Sequence, residues 1–390
     1  MGGGSTGLFL SIIIAETILS DRDYGLFSIV VTTILVLSAG GVLSLEQVLI
    51  RLAIIDEGES GDARRVSIPK WLIPLSLLAC LLASSVATYF VSSVFLSKEL
   101  KVPLFAIFFA CALSLLVSAI YRINREFVLS QLVLNLWRIG AGFIFFILFL
   151  TERYFFHIDV ELYTVVDVLS VWCVVATVPF VFVIFRNDIC FGLGKEFFAF
   201  FFGFFLSVLV VIFLNNFDKY MAGLSVSVES AGSYFYWFTL LIYPFSMMAA
   251  FISMRKLVDY KVKFSFDRFR RQVFQYSLIS SFVGALYFSA VLFFSGFFSP
   301  PEISWSLILL FYGVCILKIA YSLLSSAFGA VSNSSSIIRS NILFVFMVGV
   351  IFFVHGYAKT LEGVAILLFL LLFIRSISFY VELRVQFSRV

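Results

Sequence analysis

Basic side chains within apolar runs are the first candidates for chemistry in this sequence. Arg138, Lys318 and Arg375 each fall inside a long, almost uncharged segment. An ionisable group inside a membrane span is costly, so it usually faces a water-filled cavity or pairs with another charge. We therefore predict that these three cations bind substrate in a cavity. The alternative for each is an ion pair with an acid on a neighbouring helix.

The spacing of polar residues around Arg138 adds two more candidates. Gln131, Asn135 and Arg138 follow an i, i+4, i+7 pattern, which places all three on one face of a helix. A polar stripe that reaches the middle of a span is not expected to face lipid, so Gln131 and Asn135 are also predicted to bind substrate. Arg375 lies near the end of its span, where snorkelling to the lipid headgroups is a further alternative.

Two acids are candidates for binding an ion. Glu16 lies in the first apolar run and Asp218 follows the seventh. A carboxyl group in a low-dielectric site can carry a proton, or it can bind sodium. We therefore predict that Glu16 and Asp218 couple to a proton or a sodium ion. The alternative is that Asp218 and its neighbour Lys219 are interfacial residues of a short loop.

The composition is that of an integral membrane protein. Apolar residues make up 62% of the 390 positions, charged residues 13%, and the mean hydropathy is +1.09. Soluble domains contain about a quarter charged residues, so this chain must be solvated largely by lipid. Continuous apolar runs of about 20 residues predict transmembrane helices rather than barrel strands. We predict an all-α fold with about twelve spans.

Other classes of site are not indicated. The five cysteines are scattered, and there are only two histidines, so the sequence predicts no metal site, no disulfide framework and no cofactor. The net charge of +4 gives no indication of a nucleic-acid partner. Membrane lipids are the expected surroundings.

The placement of Lys and Arg predicts the orientation in the membrane. Basic residues are concentrated in alternate loops, most densely at 51–70 and 253–272. Because cytoplasmic loops carry the excess of Lys and Arg, both termini of this multi-pass protein are predicted to be cytoplasmic.

A weak internal repeat predicts two halves. The segment 23–28 opens the second span and the segment 231–236 opens the eighth, and Gly25 and Gly232 within them are 207 residues apart. Parallel repeats of this kind occur in transporters, with the substrate path between the halves. We predict two domains, 1–190 and 191–390.

Two short motifs resemble those of a known family. Residues 19–28 read Leu-Ser-Asp-Arg-Asp-Tyr-Gly-Leu-Phe-Ser. Residues 218–223 read Asp-Lys-Tyr-Met-Ala-Gly, and residues 231–234 read Ala-Gly-Ser-Tyr. In order and spacing these motifs resemble the polysaccharide flippases that export O-antigen and teichoic-acid precursors. That family belongs to a superfamily that also contains multidrug/cation antiporters.

The resemblance implies a fold and a function. The implied fold is two six-helix bundles around a central cavity with alternating access. The implied function is to flip an isoprenoid-diphosphate-linked oligosaccharide from the cytoplasmic to the periplasmic leaflet of the bacterial inner membrane. The resemblance also implies ion coupling and contacts with polysaccharide-assembly proteins. In such a protein Arg138 would hold the diphosphate through paired hydrogen bonds.

Two other functions stay open. A multidrug/cation antiporter of the same superfamily should have an acidic cavity, whereas the charges within the spans here are basic. An integral-membrane polysaccharide polymerase or ligase usually carries a large periplasmic loop. The longest predicted periplasmic loops here, 151–164 and 215–230, are only about 15 residues long. No catalytic constellation is evident either, so we predict that the protein is not an enzyme.

Overall fold

The computed structural model describes most of the chain in two compact units, Met1–Asn216 and Phe217–Val390. The boundary between the units lies inside a helix, and the predicted domain boundary after residue 190 stays a prediction. The described residues are 2–52, 54–57, 64–69, 71–96, 98–154, 160–185, 188–190, 197–295, 300–332, 334–354 and 358–387.

The first unit is built around one buried helix, α5. This helix packs against α2, α3, α4, α6 and α7, and almost all of its second half is buried. Its apolar and small residues can face neighbouring helices on all sides, as expected of the central helix of a bundle. The helices are α1 (Gly2–Ile18), α2 (Asp21–Gly40), α3 (Leu45–Leu52), α4 (Leu72–Val94), α5 (Lys101–Ile123), α6 (Phe127–Tyr154), α7 (Leu162–Val181) and most of α8 (Phe197–Ser225).

A small sheet in the first unit departs from the predicted all-α fold. Strands β1 (Ile54–Glu57) and β2 (Arg64–Pro69) pair antiparallel, and β2 pairs in parallel with β3 (Asp188–Cys190). In that parallel pair Ser67 is opposite Asp188. The basic segment 51–70 was predicted only as a loop. The backbone N–H and C=O groups of residues 54–57 and 64–69 need hydrogen-bond partners, and the strand ladder supplies them.

The second unit has a corresponding central helix, α12. It packs against α9, α10, α11 and α14. Its buried residues include Phe311, Cys315 and Lys318, so a charged side chain lies in the interior of the unit. The helices of this unit are α9 (Val228–Leu241), α10 (Tyr243–Val262), α11 (Phe266–Ser295), α12 (Trp305–Val331), α13 (Ser334–Val354) and α14 (Leu361–Phe387).

The helices are long and apolar enough for a multi-pass membrane protein. Among the described residues, nine helices meet the length and hydropathy needed to cross a membrane, or ten if α9 and α10 together form one broken span. Two further apolar helical segments, Thr6–Ile18 and Ile338–Val350, are shorter. The predicted number of about twelve spans therefore stays a prediction, whereas the helical, multi-pass character is confirmed.

Two N-caps and one central helix recur in the two units at the same sequence offset. Ser20 caps α2 by accepting a hydrogen bond from the Asp23 N–H (3.2 Å), and Ser227 caps α9 by accepting one from the Ser230 N–H (3.1 Å). These N-caps are 207 residues apart, like Gly25 and Gly232. If 207 is added to the residue numbers of α5, the resulting range 308–330 falls within α12. The local structures thus support an internal repeat.

Helix α8 is longer than the sequence indicated. Residues 215–230 were predicted to form a periplasmic loop, but α8 continues to Ser225 and α9 begins at Val228. The reason is local: the amide groups of Asn215 and Asn216 donate to the carbonyls of Val211 and Ile212 (both 3.0 Å). The polar side chains at this point therefore bond within the helix rather than end it.

Helices α1 and α6 approach each other closely at two glycines, Gly7 of α1 and Gly142 of α6. A Cβ atom at Gly142 would lie 2.8 Å from the Gly7 Cα, and one at Gly7 would lie 2.6 Å from the Arg138 carbonyl oxygen. Small residues permit such backbone contact between membrane helices. Helix α1 is therefore seated directly on the turn of α6 that carries Arg138.

We expect Gly142→Ala to destabilise the protein. The added methyl group has no room against α1, and overpacking of this kind costs about 1–3 kcal/mol. Gly349→Ala in α13 is the matched control, because a Cβ there meets no atom within 4 Å. Thermal unfolding in detergent should show a lower midpoint for Gly142→Ala only. Equal midpoints for the two variants would contradict the close packing of α1 and α6.

Candidate functional site: a buried charge cluster

A buried carboxylate forms the centre of a charge cluster in the second unit. Asp218 is fully buried near the end of α8. Its Oδ1 accepts a hydrogen bond from the Lys219 ammonium (3.3 Å), and its Oδ2 accepts one from the Tyr234 hydroxyl (3.0 Å). Both carboxylate oxygens are thus occupied. A buried acid is tolerated when it is paired and hydrogen-bonded in this way.

Two ammonium groups lie against one aromatic ring beside this carboxylate. The Lys219 Nζ is 3.7 Å from the centroid of the Phe238 ring, and the Lys318 Nζ is 5.1 Å from it. Cation–π attraction stabilises ammonium groups at such distances, and more strongly when they are desolvated. Lys318 also donates a hydrogen bond to the Ser246 hydroxyl (3.1 Å). The ring therefore holds both cations in the interior.

The cluster contains more positive than negative charge. Lys219 is paired with Asp218, whereas Lys318 forms no ion pair with any residue in the described part of the chain. Lys318 is only 7% exposed, so water screens its charge poorly. A hydroxyl and an aromatic ring neutralise an ammonium group less completely than a carboxylate does. An anion that reached this cluster would be attracted to it.

Four helices bring these side chains together. Asp218 and Lys219 come from α8, Tyr234 and Phe238 from α9, Ser246 from α10 and Lys318 from α12. Tyr234 and Phe238 are four residues apart, so they lie on one face of α9. That face packs on Phe311 of α12, with ring centroids 5.2 and 6.2 Å apart. The aromatic contacts hold α9 and α12 in register, which places Lys318 next to Phe238.

The structure joins two predictions that were separate in the sequence. Lys318 was predicted to bind substrate and Asp218 to couple to an ion, and both belong to this one cluster. The interpretation of Asp218 and Lys219 as interfacial loop residues is wrong, because both are buried within a helix. Sequence reasoning missed the roles of Phe238 and Ser246, although the i, i+4 spacing of Tyr234 and Phe238 was a signal.

The polar stripe of the first unit forms a connected chain along α6. The Arg138 Nη1 donates to the Asn135 Oδ1 (3.2 Å), and the Asn135 amide donates to the Gln131 carbonyl (2.7 Å). Asn135 is buried, and Gln131 and Arg138 are half-buried. The Arg138 Nε is buried without a hydrogen-bond partner in the described part of the chain. Arg138 thus retains donor capacity, in keeping with its predicted binding role.

Arg375 is engaged within the fold of the second unit. Its guanidinium donates to the carbonyl and hydroxyl of Ser340 and to the amide oxygen of Asn341, both on α13. It also lies against the Phe379 ring, 4.4 Å from the centroid. At 4% exposure, Arg375 is buried rather than directed toward headgroups. These contacts favour a role in joining α13 to α14, and its predicted substrate contact stays a prediction.

The two acids proposed for ion coupling lie in different units. Glu16 is half-buried on α1 in the first unit, and Asp218 is in the second. A cation that bound to Asp218 would have to displace the Lys219 ammonium or the Tyr234 hydroxyl. The described residues contain no group of three or more His, Cys, Asp or Glu side chains arranged to hold a metal ion.

Comparison with known proteins relates the fold to a transporter. No protein-family model matches the chain, and no curated protein matches it. A solved structure of a multidrug resistance MATE family transporter of the MOP superfamily, in its inward-facing conformation, matches with a TM-score of 0.60. The match covers 99% of this chain and 95% of that one at 13% identity. The chain therefore has the fold of a MATE-type transporter.

Proposed function

We propose that this protein is a membrane transporter that flips an isoprenoid-diphosphate-linked oligosaccharide from the cytoplasmic to the periplasmic leaflet by alternating access. The observation that carries the proposal is the buried cluster in which Lys219 and Lys318 outnumber Asp218. The MATE-type fold supports transport in general. The motif that resembles the polysaccharide flippases supplies Asp218, Lys219 and Tyr234 of the cluster.

The cluster suits the chemistry of a diphosphate. A diphosphate must be sheltered from hydrocarbon by fixed positive charge and hydrogen-bond donors, and ammonium–phosphate contacts are charge-assisted. Lys318 supplies a charge that forms no ion pair among the described residues, and Ser246 supplies a neighbouring hydroxyl. Arg138 supplies a guanidinium in the first unit, and its Nε has no hydrogen-bond partner in the described part of the chain. In this proposal Gln131, Asn135 and Arg138 contact the polar part of the substrate.

The Asp218–Lys219 pair offers a route to ion coupling. A bound diphosphate would draw the Lys219 ammonium away from Asp218, because the phosphate carries more charge than one carboxylate. Asp218 would then need another cation, and a proton or a sodium ion could supply it. Substrate binding and ion binding would thus favour each other through Lys219. Glu16 is proposed as a second acid in this coupling.

The alternative in the same superfamily is a multidrug/cation antiporter. The solved MATE structure is described as a multidrug resistance transporter, which is the reason to keep this alternative. An excess of buried ammonium groups should repel a cationic drug, so the cluster favours an anionic substrate. The polymerase or ligase is the other alternative. We propose instead that the protein is not an enzyme and has no resident cofactor.

The proposed setting follows from the predicted orientation. The protein would lie in the bacterial inner membrane with both termini in the cytoplasm, surrounded by membrane lipids. Contacts with polysaccharide-assembly proteins would deliver and remove the lipid-linked substrate.

Deletion of the gene in its own organism tests the proposed function. We expect loss of the surface polysaccharide and accumulation of lipid-linked repeat units on the cytoplasmic leaflet, measured by lipid extraction and leaflet-selective labelling. The wild-type gene should restore the polysaccharide, and an Arg138→Ala variant of equal abundance should not. Unchanged polysaccharide together with greater sensitivity to cationic drugs would instead support the antiporter.

A further inference from the structure

The hairpin between α10 and α11 borders an open cavity with polar and apolar lining, apart from the buried cluster. Its volume is about 320 Å³, and it lies where the basic segment 253–272 turns from one helix to the next. The polar lining includes Tyr260, Lys263, Ser265, Arg268 and Gln272. The proposed function uses none of these residues. The charge distribution of the sequence predicts that this hairpin faces the cytoplasm.

The cavity has an excess of positive charge. Lys263 and Arg268 are exposed, and neither forms an ion pair with a described residue. The acid that also lines the cavity, Asp259, is paired with Lys256, whose Nζ lies 3.2 Å from the Asp259 Oδ2. Asp259 is therefore ion-paired with a residue of its own helix, and Lys263 and Arg268 are the cations that can contact a ligand.

The wall of the cavity is held in place by aromatic packing and a hydrogen bond. Tyr260 packs edge-on against Phe269, with ring centroids 5.7 Å apart, and its hydroxyl donates to the Gln272 Oε1 (3.0 Å). Phe269 is buried. Phe264 in the turn between the helices packs on Phe387 of α14, with centroids 4.7 Å apart. These contacts link α10, α11 and α14. The hairpin backbone that carries Lys263 and Arg268 is therefore held by packing.

Exposed apolar residues occur at the hairpin and beyond it. Val262, which also lines the cavity, is 84% exposed. Large apolar side chains of α11 beyond the hairpin are exposed as well, namely Phe274, Leu278, Phe282 and Leu286. A phospholipid whose phosphate enters the cavity would therefore meet the apolar side chain of Val262 as well as the two cations. A free phosphate ion would use only the cations.

We propose that this cavity binds the phosphate headgroup of an anionic glycerophospholipid. Lys263 and Arg268 contact the phosphate, and the hydroxyls of Ser265 and Tyr260 and the amide of Gln272 face the rest of the headgroup. Basic residues at the cytoplasmic surface attract anionic lipids of the inner leaflet. The hydrogen-bonding residues add a defined position to that attraction. The site is separate from the one proposed for the transported substrate.

Lipid binding to the purified full chain in detergent tests the proposal. The probes are phosphatidylglycerol, phosphatidylethanolamine and inorganic phosphate, and retained lipid is counted by native mass spectrometry. We expect the wild type to retain phosphatidylglycerol, and Lys263→Ala/Arg268→Ala to weaken its binding about tenfold or more. Lys261→Ala/Arg270→Ala is the matched control, since both residues are exposed cations of the same helices outside the cavity lining. That control should change binding less than about twofold.

Three outcomes would overturn the proposal. Equal weakening by the control pair would mean that surface charge in general attracts the lipid. Equal retention of phosphatidylethanolamine would mean that an anionic headgroup is not required. Displacement of the lipid by millimolar inorganic phosphate would mean that the cavity binds free phosphate. Lys263→Arg/Arg268→Lys should retain binding, which separates loss of charge from damage to the hairpin. Because no step requires transport, the result is independent of the proposed function.

Discussion

Lys318→Met is expected to reduce transport about 100-fold while leaving the protein at least as stable as the wild type. The reason is that Lys318 is a buried cation that forms no ion pair within the described ranges and is held by Ser246 and the Phe238 ring. Removing such a charge relieves a desolvation cost, so folding does not depend on it. A buried charge-assisted contact with substrate contributes about 2–5 kcal/mol, which corresponds to roughly 30-fold or more in rate or affinity.

The measurement pairs transport in proteoliposomes with thermal unfolding in detergent. Lys318→Arg keeps the charge and should retain part of the activity. Lys256→Met is the control, because Lys256 forms its ion pair with the half-exposed Asp259 and should affect transport less than about twofold. If Lys318→Met lowered the stability while the folded fraction still transported normally, Lys318 would be a structural residue and not a substrate ligand.

Asp218→Asn is expected to lower the free energy of unfolding by about 3–5 kcal/mol. The substitution leaves the Lys219 ammonium buried without its counter-charge, and breaking a buried ion pair on one side costs about that much. It also replaces an acceptor of the Tyr234 hydroxyl by an amide that can accept only through its oxygen. Reversible unfolding in mixed micelles would measure the loss.

The double variant Asp218→Asn/Lys219→Met should recover most of that stability, because it removes both charges together. Asp259→Asn provides the comparison with an exposed pair and should cost less than about 1 kcal/mol. An Asp218→Asn protein as stable as the wild type would mean that Lys219 is not held by Asp218. A double variant as unstable as the single one would mean that the loss of stability does not come from the broken ion pair.

The features that the sequence predicted are those set by local composition. Helical spans follow from apolar runs, and the importance of Arg138 and Lys318 follows from the cost of a charge within such a run. These properties depend on a residue and its near neighbours in the chain. The N-caps at Ser20 and Ser227 were not predicted, although each is an equally local contact across three residues.

The features that the sequence did not predict depend on contacts between distant segments. Lys219 and Lys318 are 99 positions apart in the sequence, and the packing of α9 on α12 brings both to the Phe238 ring. The continuation of α8 through Asn215 and Asn216 was missed for a different reason. Hydropathy treats these amides as loop residues, whereas in the structure they bond to carbonyls of their own helix.

Translocation by the purified protein tests the central claim most directly. The protein is reconstituted into vesicles with a fluorescent isoprenoid-diphosphate-linked oligosaccharide, and leaflet-selective quenching follows its movement. In parallel vesicles a cationic dye replaces the lipid. We predict that the wild type moves the diphosphate-linked lipid and not the dye, and that Lys318→Met moves neither. Uptake of the dye without movement of the lipid would contradict the account and identify a cation transporter.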